Sequence, residues 1–585
     1  MIRSSSDRIG KCIFFTASLF SVVAIIAVFG FLITNSLPFF QKIGLREFLL
    51  GTVWSPDRYD TYQSDSVSGS YGIFPMLIGT LLSGASALLL GGTLGCFFAI
   101  FLVFFCPAPI KRFCNTVVLL LAGIPSVVYG FFGISFLLPK LSRFSPTNGS
   151  GLLATSLILG TMILPTVVAL YRTALEAVPK HYYTGAVGLG ATHVQAVFCT
   201  VVPAARSGKR NALILGLGRA LGETMAVILV AGNAPTYPKG LFRSFRVLTA
   251  NIAMEMGYAG EVQEGALIAT GCVLLGLIFL VNRLSHAQDS IRTKKNRFRQ
   301  IGIRYSETVL RCKSALTALS VGFVALIPAA IFIFLLSKGV PVLIEQPSLL
   351  YGGFAFGKDQ ITLLPSLVAT VMTVILSLAI AVPVGVMTAV YLREYASKNA
   401  ATVRIVESAI GLLNGVPSIV YGLFGMISFV PIFGGSASIL AGSLTVSILL
   451  LPTVTRATEE SLSSVEVGQR EGSFALGAGQ TRTVLKIVLP AAFPGILSAI
   501  FLSIGRVLCE SAPFLYTMGS VLGAIPQGYL DSGTTLASAL YQLAGEGWHI
   551  REAYAASVVL IVLVLALNFL TAKIAVKLQK NNYTS

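Results

Sequence analysis

Long apolar runs separated by short polar stretches recur along the whole chain of 585 residues. About 20 apolar residues are needed to cross a bilayer as a helix. The first run follows Arg3, Arg8 and Lys11, but it is longer than a secretory signal and lacks a small-residue cleavage site, so we expect it to be retained. The pattern predicts an all-α polytopic membrane protein with twelve spans, at about residues 12–35, 74–105, 114–138, 152–171, 211–232, 262–282, 314–337, 362–391, 405–431, 436–455, 490–518 and 552–572.

Composition agrees with a membrane protein: 55% of the residues are hydrophobic, 11% are charged, and the formal net charge is +18. If the N-terminus is cytoplasmic, most Lys and Arg residues fall on the cytoplasmic side, which is the usual asymmetry of membrane proteins. This distribution favours cytoplasmic placement of both termini over nucleic-acid binding. The eight cysteines are scattered without metal-ligand spacing, so we expect neither a metal site nor a disulfide.

The sequence repeats itself internally. "LAGIPSVVYGFFG" at 121–133 recurs as "LNGVPSIVYGLFG" at 413–425, and "LPTV" at 164–167 recurs at 451–454. Each copy has six predicted spans, so both enter the membrane in the same orientation and are parallel repeats about a pseudo-twofold axis along the membrane normal. The predicted domains are residues 1–282 and 314–585, joined by a basic cytoplasmic linker at 283–313 that we expect to lie near anionic lipid.

Four charged residues fall well inside predicted spans: Arg219 and Glu223 in the first repeat, Arg506 and Glu510 in the second. Each costs roughly 2.5 to 3.5 kcal/mol at mid-membrane. Within each pair the residues are four apart, so a continuous helix would place them on one face as an ion pair. One interpretation is that the charges only neutralise one another. The other, which we favour, is that all four line a path for an anion, because Arg presents planar donors that suit oxyanions.

Two further features repeat. Pro125 and Pro417 should interrupt the third helix of each half, freeing carbonyls that Ser126, Ser418 or an aqueous cavity would help to satisfy. The break is either a packing kink or a gate. In the loop between the fourth and fifth spans, Gly190 and Gly477 should each divide a polar helical run. Pro203 and Pro490 should mark the start of the next membrane helix.

The second of these loops, "EGSFALGAGQTRTVLKIVLP" at 471–490, resembles the EAA loop of ABC importer membrane subunits. In that family the loop docks on the ATP-hydrolysing subunits. The resemblance implies an ATPase-coupling role for the matching positions, although the first loop departs from the pattern at its Glu-Ala-Ala and Ile-x-Leu-Pro positions. An amphipathic helix on the membrane surface is the alternative. The matching residues are Thr184, Gly185, Ala186 and Gly190 in the first loop and Glu471, Gly472 and Gly477 in the second.

Over nearly its whole length the chain resembles the permeases of the bacterial phosphate ABC transporter, on "GIPSVVYG", "GRALGETMAV", "LPTVTRATEESL" and "GRVLCESAPFL". The first half is similar to PstC and the second to PstA. The resemblance implies a type I ABC importer permease in the bacterial inner membrane, which imports inorganic phosphate. It also implies two copies of a PstB-like ATPase and an extracytoplasmic PstS-like phosphate-binding protein that docks on outer loops 36–73, 233–261 and 519–551.

The chain has no GxxxxGK[ST] phosphate loop, so we expect no catalytic residue and no cofactor in it, with ATP used by the partner subunit. Other functions stay open. A permease for another oxyanion, molybdate or sulfate, would use the same arginines. An ion-gradient-driven transporter would not need the EAA spacing, and a membrane scaffold gives no reason for four symmetric charges.

Overall fold

The computed structural model describes residues 5–56, 69–145, 148–293, 306–352, 361–396, 401–519, 522–547 and 549–584. In these ranges ten unbroken helices and two bent helix pairs are long and apolar enough to cross a membrane. The all-α class and the predicted spans are therefore confirmed. The unbroken helices are Asp7–Lys42, Phe74–Phe105, Ser126–Phe144, Leu152–Glu176, Glu261–Arg283, Glu307–Glu345, Leu364–Tyr395, Ile439–Ser464, Gln480–Cys509 and Ile550–Thr571.

The bent pairs are Arg206–Gly222 with Met225–Ala231, which turns through 67°, and Ala401–Gly415 with Ser418–Ser428, which turns through 102°. Wide π turns occur within several spans, at Leu88–Gly92, Phe101–Phe105, Gly133–Leu137, Tyr391–Tyr395 and Val484–Val488, and in the loop before the fifth span, at Ala196–Val201. The remaining helices are Leu45–Leu50, Ala108–Gly123, Lys180–Gly188, His193–Gln195, Val202–Ala204, Leu248–Glu255, Ser348–Tyr351, Val467–Ala475, Phe514–Thr517 and Leu536–Glu546. The strands Trp54–Ser55 and Ser70–Tyr71 pair antiparallel.

The helices at the ends of the predicted linker extend into it, because one continues to Thr293 and the next begins at Glu307. Residues 294–305 of the linker lie outside the described chain, as do 57–68, 520–521 and 548 of the predicted outer loops.

The chain forms two compact units that do not coincide with the two repeats. One unit is Met1–Pro38 with Gly339–Ser585, and the other is Phe39–Lys338. In the first unit, the ring of Phe31 lies 5.6 Å from that of Phe424. In the second unit, the ring of Phe334 lies 5.8 Å from that of Phe132. Each unit therefore contains most of the first span of the other repeat. The predicted domain boundaries, 1–282 and 314–585, did not include this exchange.

A proline breaks the third helix of each repeat, and a tyrosine from the same motif bridges the break. Proline has no N–H, so the carbonyl four residues before it loses its helical donor. Before Pro417 that carbonyl belongs to Leu413, and the hydroxyl of Tyr421 donates to it at 2.7 Å. In the first repeat, Tyr129 donates to Leu121 at 2.8 Å. The tyrosines, which the sequence interpretation missed, take the role it had assigned to Ser126 and Ser418.

A buried ion pair holds together the loops that follow the first and fifth spans of the first repeat. Arg246 donates to Glu255, whose other oxygen accepts from the indole of Trp54 at 2.8 Å and from Gln263 at 2.9 Å. Glu255 is buried, and removing one partner of such a pair leaves an uncompensated charge. This cluster joins the loop at Trp54 to the loop at Arg246 and Glu255 and to the start of the sixth span at Gln263.

We predict that Tyr421→Phe lowers the free energy of unfolding by about 1 to 3 kcal/mol, because it removes the donor to a buried carbonyl. Thermal unfolding of the purified protein in detergent measures the change. The matched control is Tyr351→Phe, since Tyr351 is 69% exposed. Equal melting temperatures for Tyr421→Phe and the control would contradict the bridging role.

Candidate functional site

The charged residues of each fifth span lie where the helix ends. Arg219 is in the last turn of Arg206–Gly222, and Glu223 follows the helix with extended backbone angles, φ −74° and ψ 136°. Arg506 is in the last turn of Leu489–Cys509, and Glu510 follows with φ −81° and ψ 140°. The prediction that each pair shares one face of a continuous helix was therefore wrong, because the helix stops before each glutamate.

Each arginine is held by the threonine of an "LPTV" copy. Arg219 Nη1 donates to Thr166 Oγ1 at 2.8 Å, and Arg506 Nη1 donates to Thr453 Oγ1 at 2.5 Å. Sequence reasoning found the "LPTV" repeat but did not assign it a role. The signal was available, because the Thr and the Arg recur at the same separation of 53 residues. A guanidinium has five N–H donors, so one hydrogen bond to a threonine hydroxyl leaves most of its N–H groups able to donate to other acceptors.

The glutamate of the first repeat is bound by the backbone of the next helix. The Glu223 carboxylate accepts hydrogen bonds from the amides of Thr224 and Ala226 and from the hydroxyl of Ser126. The freed carbonyl of Glu223 accepts from Thr249 Oγ1 at 2.8 Å. Ser126 thus links the proline break of the third helix to the break of the fifth. In the second repeat, Arg506 Nε lies 3.7 Å from Glu510 Oε1.

The positions of these charges lower the cost of placing them in an apolar region. A helix carries partial negative charge at its C-terminus and partial positive charge at its N-terminus. Arg219 and Arg506 lie in last turns, where cations are favoured, and Glu223 lies at the start of Met225–Ala231, where an anion is favoured. Neutralisation within each pair is therefore only part of what stabilises the charges.

Close glycine contacts fix the broken helices against one another. A Cβ added at Gly130 would lie 2.7 Å from Leu229 Cδ1, and one added at Gly422 would lie 3.1 Å from Pro513 Cα. In both repeats the segment after the proline thus packs on the segment after the charged pair. Gly218, beside Arg219, makes no such contact: an added Cβ there would be 3.8 Å from its nearest neighbour, Asn282.

The two EAA-like loops, residues 180–205 and 467–490, have the helix-turn-helix form that the sequence predicts. Thr184, Gly185 and Ala186 lie on Lys180–Gly188, and Glu471 and Gly472 lie on Val467–Ala475. The turns that follow contain Gly190 at φ +85° and Gly477 at φ +80°. Residues with a side chain rarely adopt this left-handed backbone conformation, which explains the glycine at both positions.

Each EAA-like loop is braced in the same way. Hydroxyl groups tie its two arms together: Tyr183 to His193 at 2.8 Å in the first loop, and Ser473 to Thr483 at 2.8 Å in the second. Each loop is also fixed to the end of its repeat's second span. His193 lies 3.1 Å from the Phe104 carbonyl, and Arg470 donates to Glu394 at 2.9 Å.

An apolar side chain projects from each loop immediately before the turn glycine. Leu189 is 93% exposed and Leu476 is 91% exposed. The two loops therefore present an exposed leucine at equivalent positions.

The loops differ in how they join the membrane helix. In the first loop, Ala205 interrupts the helix between Val202–Ala204 and Arg206–Gly222. In the second, helix runs without a break from Gln480 to Cys509. Pro490 lies in the first turn of the α-helix Leu489–Cys509, where the sequence predicts the start of the membrane helix, and the wide turn Val484–Val488 joins that helix to the loop.

These features define a polytopic membrane protein with paired charged helix ends and two equivalent helix-turn-helix loops. Residues 91–291 and 381–580 each match the family described as "Binding-protein-dependent transport system inner membrane component". Because the two matches cover more than half of the chain, the protein belongs to this family of ABC transporter permease subunits. The repeat is confirmed as two copies of the family's domain.

Individual relatives resemble one repeat or both. The probable ABC transporter permease protein YqgH of Bacillus subtilis is 35% identical over 276 residues, which are 46% of this chain and 87% of the relative. The phosphate transport system permease protein PstC of Mesorhizobium japonicum is 34% identical over 255 residues, 40% of this chain and 75% of the relative. The PstA homolog of Mycoplasma pneumoniae is 26% identical over 516 residues, 76% of this chain and 77% of the relative.

We predict that Glu223→Ala speeds hydrogen exchange at the amides of Thr224 and Ala226 by about tenfold or more, because hydrogen bonds to a charged acceptor contribute about 1.5 to 3 kcal/mol each. Glu223→Gln keeps one acceptor oxygen and should be intermediate. Exchange measured by mass spectrometry on the detergent-solubilised protein distinguishes the variants. Unchanged protection in Glu223→Ala would refute the capping role, and Glu261→Ala serves as the control outside this junction.

Proposed function

We propose that this chain is the complete membrane permease of an ATP-driven importer of inorganic phosphate, with its two repeats acting as PstC-like and PstA-like halves. The observation that carries the proposal is the recurrence of one anchored guanidinium in each repeat, Arg219 on Thr166 and Arg506 on Thr453. Relatives named as phosphate permeases are similar to 40% or to 76% of the chain, which supports phosphate as the substrate.

The chemistry of the two arginines suits a phosphate anion. The guanidinium is permanently charged and planar, and it donates in parallel to two oxygens of an oxyanion. The threonine hydroxyl holds each guanidinium at the helix end. Arg219 remains exposed and Arg506 about one-third exposed, so a passing anion reaches both groups.

The glutamates moderate this attraction. Conduction requires binding that is favourable enough for entry and weak enough for release. Glu510 lies near Arg506, and Glu223 reduces the positive field of Arg219 while its carboxylate also caps the next helix. We infer that the pairs set the affinity of the path rather than closing it. The proline breaks at Pro125 and Pro417 adjoin these helix ends and are candidates for the moving gate.

The EAA-like loops are the proposed docking sites for two copies of a PstB-like ATPase, which supplies the ATP hydrolysis. The exposed Leu189 and Leu476 support this assignment, because an apolar knob at an exposed turn fits a pocket on a partner. The first loop lacks the Glu that the second has at residue 471, so its docking depends more on shape than on charge.

An extracytoplasmic PstS-like phosphate-binding protein is the second proposed partner, on the loops at 36–73, 233–261 and 519–551. The family is binding-protein-dependent. The buried cluster around Glu255 gives two of these loops a defined shape to present. In this arrangement the chain lies in the bacterial inner membrane with both termini in the cytoplasm.

We predict that Arg219→Gln or Arg506→Gln abolishes phosphate uptake while expression and ATPase association stay normal, because the permanent charge is lost and the side chain still fits. Uptake of labelled phosphate into vesicles carrying the full complex is the measurement. Arg551→Gln, at a well-exposed arginine paired with Glu345, is the control. Normal uptake in both test variants would reject the anion path.

The same vesicles separate phosphate from the alternative oxyanions. If sulfate or molybdate inhibits the uptake of labelled phosphate at concentrations at which phosphate saturates that uptake, the path would be assigned to the other oxyanion. Uptake that persists without ATP but follows an ion gradient would contradict the importer itself.

We predict that Glu471→Lys and Leu476→Asp each detach or uncouple the ATPase, through charge reversal at the second loop and loss of its apolar contact. Co-purification of the ATPase with the permease and phosphate uptake are the two readouts. Ile432→Asp, at an exposed isoleucine outside the loops assigned to either partner, is the control. Full co-purification together with full uptake would place the docking site elsewhere.

A further inference from the structure

The second arm of each EAA-like loop begins a helix, and the two repeats cap that helix differently. The first N–H groups of a helix have no intrahelical partner. In the first loop Thr192 supplies a local cap: its hydroxyl accepts from the Gln195 amide at 3.3 Å, and the Gln195 side chain accepts from the Thr192 amide at 2.9 Å. This reciprocal pair is complete within the loop itself.

The second loop has no such residue. Gly479 occupies the N-cap position and has no side chain to offer. The acceptor comes instead from the first helix of the chain, where Asp7 Oδ1 accepts from the Thr481 amide at 2.9 Å. The cap is therefore supplied by a residue 474 positions away in sequence.

The missing side chain at Gly479 leaves room for the Asp7 carboxylate. A Cβ at residue 479 would lie 2.9 Å from Asp7 Oδ2 and 3.1 Å from Oδ1, so any side chain there would displace the carboxylate. The glycine that offers no local cap therefore also leaves the space that the distant cap, Asp7, occupies.

The N-terminal helix is held at this position by further contacts in the same unit. Tyr395 donates to Thr481 Oγ1 at 3.0 Å, and its ring lies 5.2 Å from that of Phe14. A Cβ at Gly10 would lie 2.7 Å from Thr481 Oγ1. Asp7 therefore belongs to a packed contact between the first helix and the loop.

The capped helix is the one that carries the second guanidinium. Helix extends from Gln480 to Cys509, with Arg506 in its last turn. At 1.5 Å per residue it is about 45 Å long, so one continuous helix, with the wide turn Val484–Val488 within it, joins the loop to the membrane charge. The first repeat has a break at Ala205 between its loop and Arg219.

The counterpart of Asp7 does not repeat the arrangement. Glu307, in the first turn of the helix that opens the second repeat, pairs with its own helix through Arg311 at 2.8 Å, and both side chains are about four-fifths exposed. The distant cap thus belongs to the second loop, whose own sequence lacks one.

We propose that Asp7 is a positioning residue for energy coupling. By capping the helix that starts at Gln480, it orients the second EAA-like loop for the ATPase and makes the N-terminal segment part of the coupling machinery. The inference rests on the proposed docking of an ATPase on these loops, but not on the identity of the transported anion.

Asp7→Ala in the full-length chain, reconstituted in lipid nanodiscs, provides the test. We expect hydrogen exchange at the Thr481 amide to speed by about fivefold, as loss of an N-cap acceptor implies. We also expect the Kd of the separately purified ATPase subunit to rise several-fold. Asp7→Asn keeps an acceptor oxygen and should behave as the wild type, and Glu307→Ala is the matched control.

A second-site rescue separates positioning from general destabilisation. Gly479→Ser alone should weaken ATPase binding, because its side chain collides with Asp7. In the double variant Asp7→Ala with Gly479→Ser, the serine caps the helix locally, as Thr192 does in the first loop, and both exchange and Kd should return towards wild-type values.

Unchanged exchange at Thr481 in Asp7→Ala would overturn the cap, and faster exchange with an unchanged Kd would overturn its role in coupling. Failure of the double variant to recover wild-type exchange and Kd would also overturn the role of Asp7 in coupling. Labelled-phosphate uptake by the wild-type complex reports separately on the proposed function: if phosphate is not transported but the ATPase binds in an Asp7-dependent manner, the substrate is wrong and the positioning role stands.

Discussion

A backbone polar group inside a bilayer needs a partner from the protein, since the hydrocarbon offers none. The helices of this chain break at Pro125, Pro417 and beside Glu223, and each break frees such groups. The partners are specific: tyrosine hydroxyls cross the proline breaks, and Thr249 takes up the carbonyl of Glu223. Functional side chains can lie at helix ends in the membrane because neighbouring elements supply these hydrogen bonds.

The same requirement connects the charged residues to the broken helices. Glu223 accepts amide hydrogen bonds at the start of one helix and the Ser126 hydroxyl at the start of another. A change in the angle at either break would therefore alter the surroundings of the carboxylate and, through it, the field at Arg219. Rigid glycine contacts, such as Gly130 against Leu229, transmit a movement of one segment to the next.

Local signals made much of this architecture predictable. The length of the apolar runs predicts the spans, and Gly190 and Gly477 predict the loop turns because left-handed backbone favours glycine. Contacts between distant residues that do not recur were not predictable from one sequence: Asp7 with Thr481, and the exchange of first spans. The glutamates were placed on continuous helices because a run such as "GLGRALGETMAVILVAG" keeps its apolar character across the break and contains no proline.

The exchange of first spans sets the order in which the chain can complete its folds. The unit Phe39–Lys338 is contiguous and is finished when its last span has been synthesised. The other unit combines the first helix to emerge with the last part of the chain, so that helix waits through about three hundred residues of synthesis, about 15 to 60 seconds at about 5 to 20 residues per second. Lipid is as apolar as the helix's eventual neighbours and can shield it meanwhile. A chain truncated before its final spans would therefore leave an intact central unit and an orphaned N-terminal helix, a state that membrane quality control could recognise.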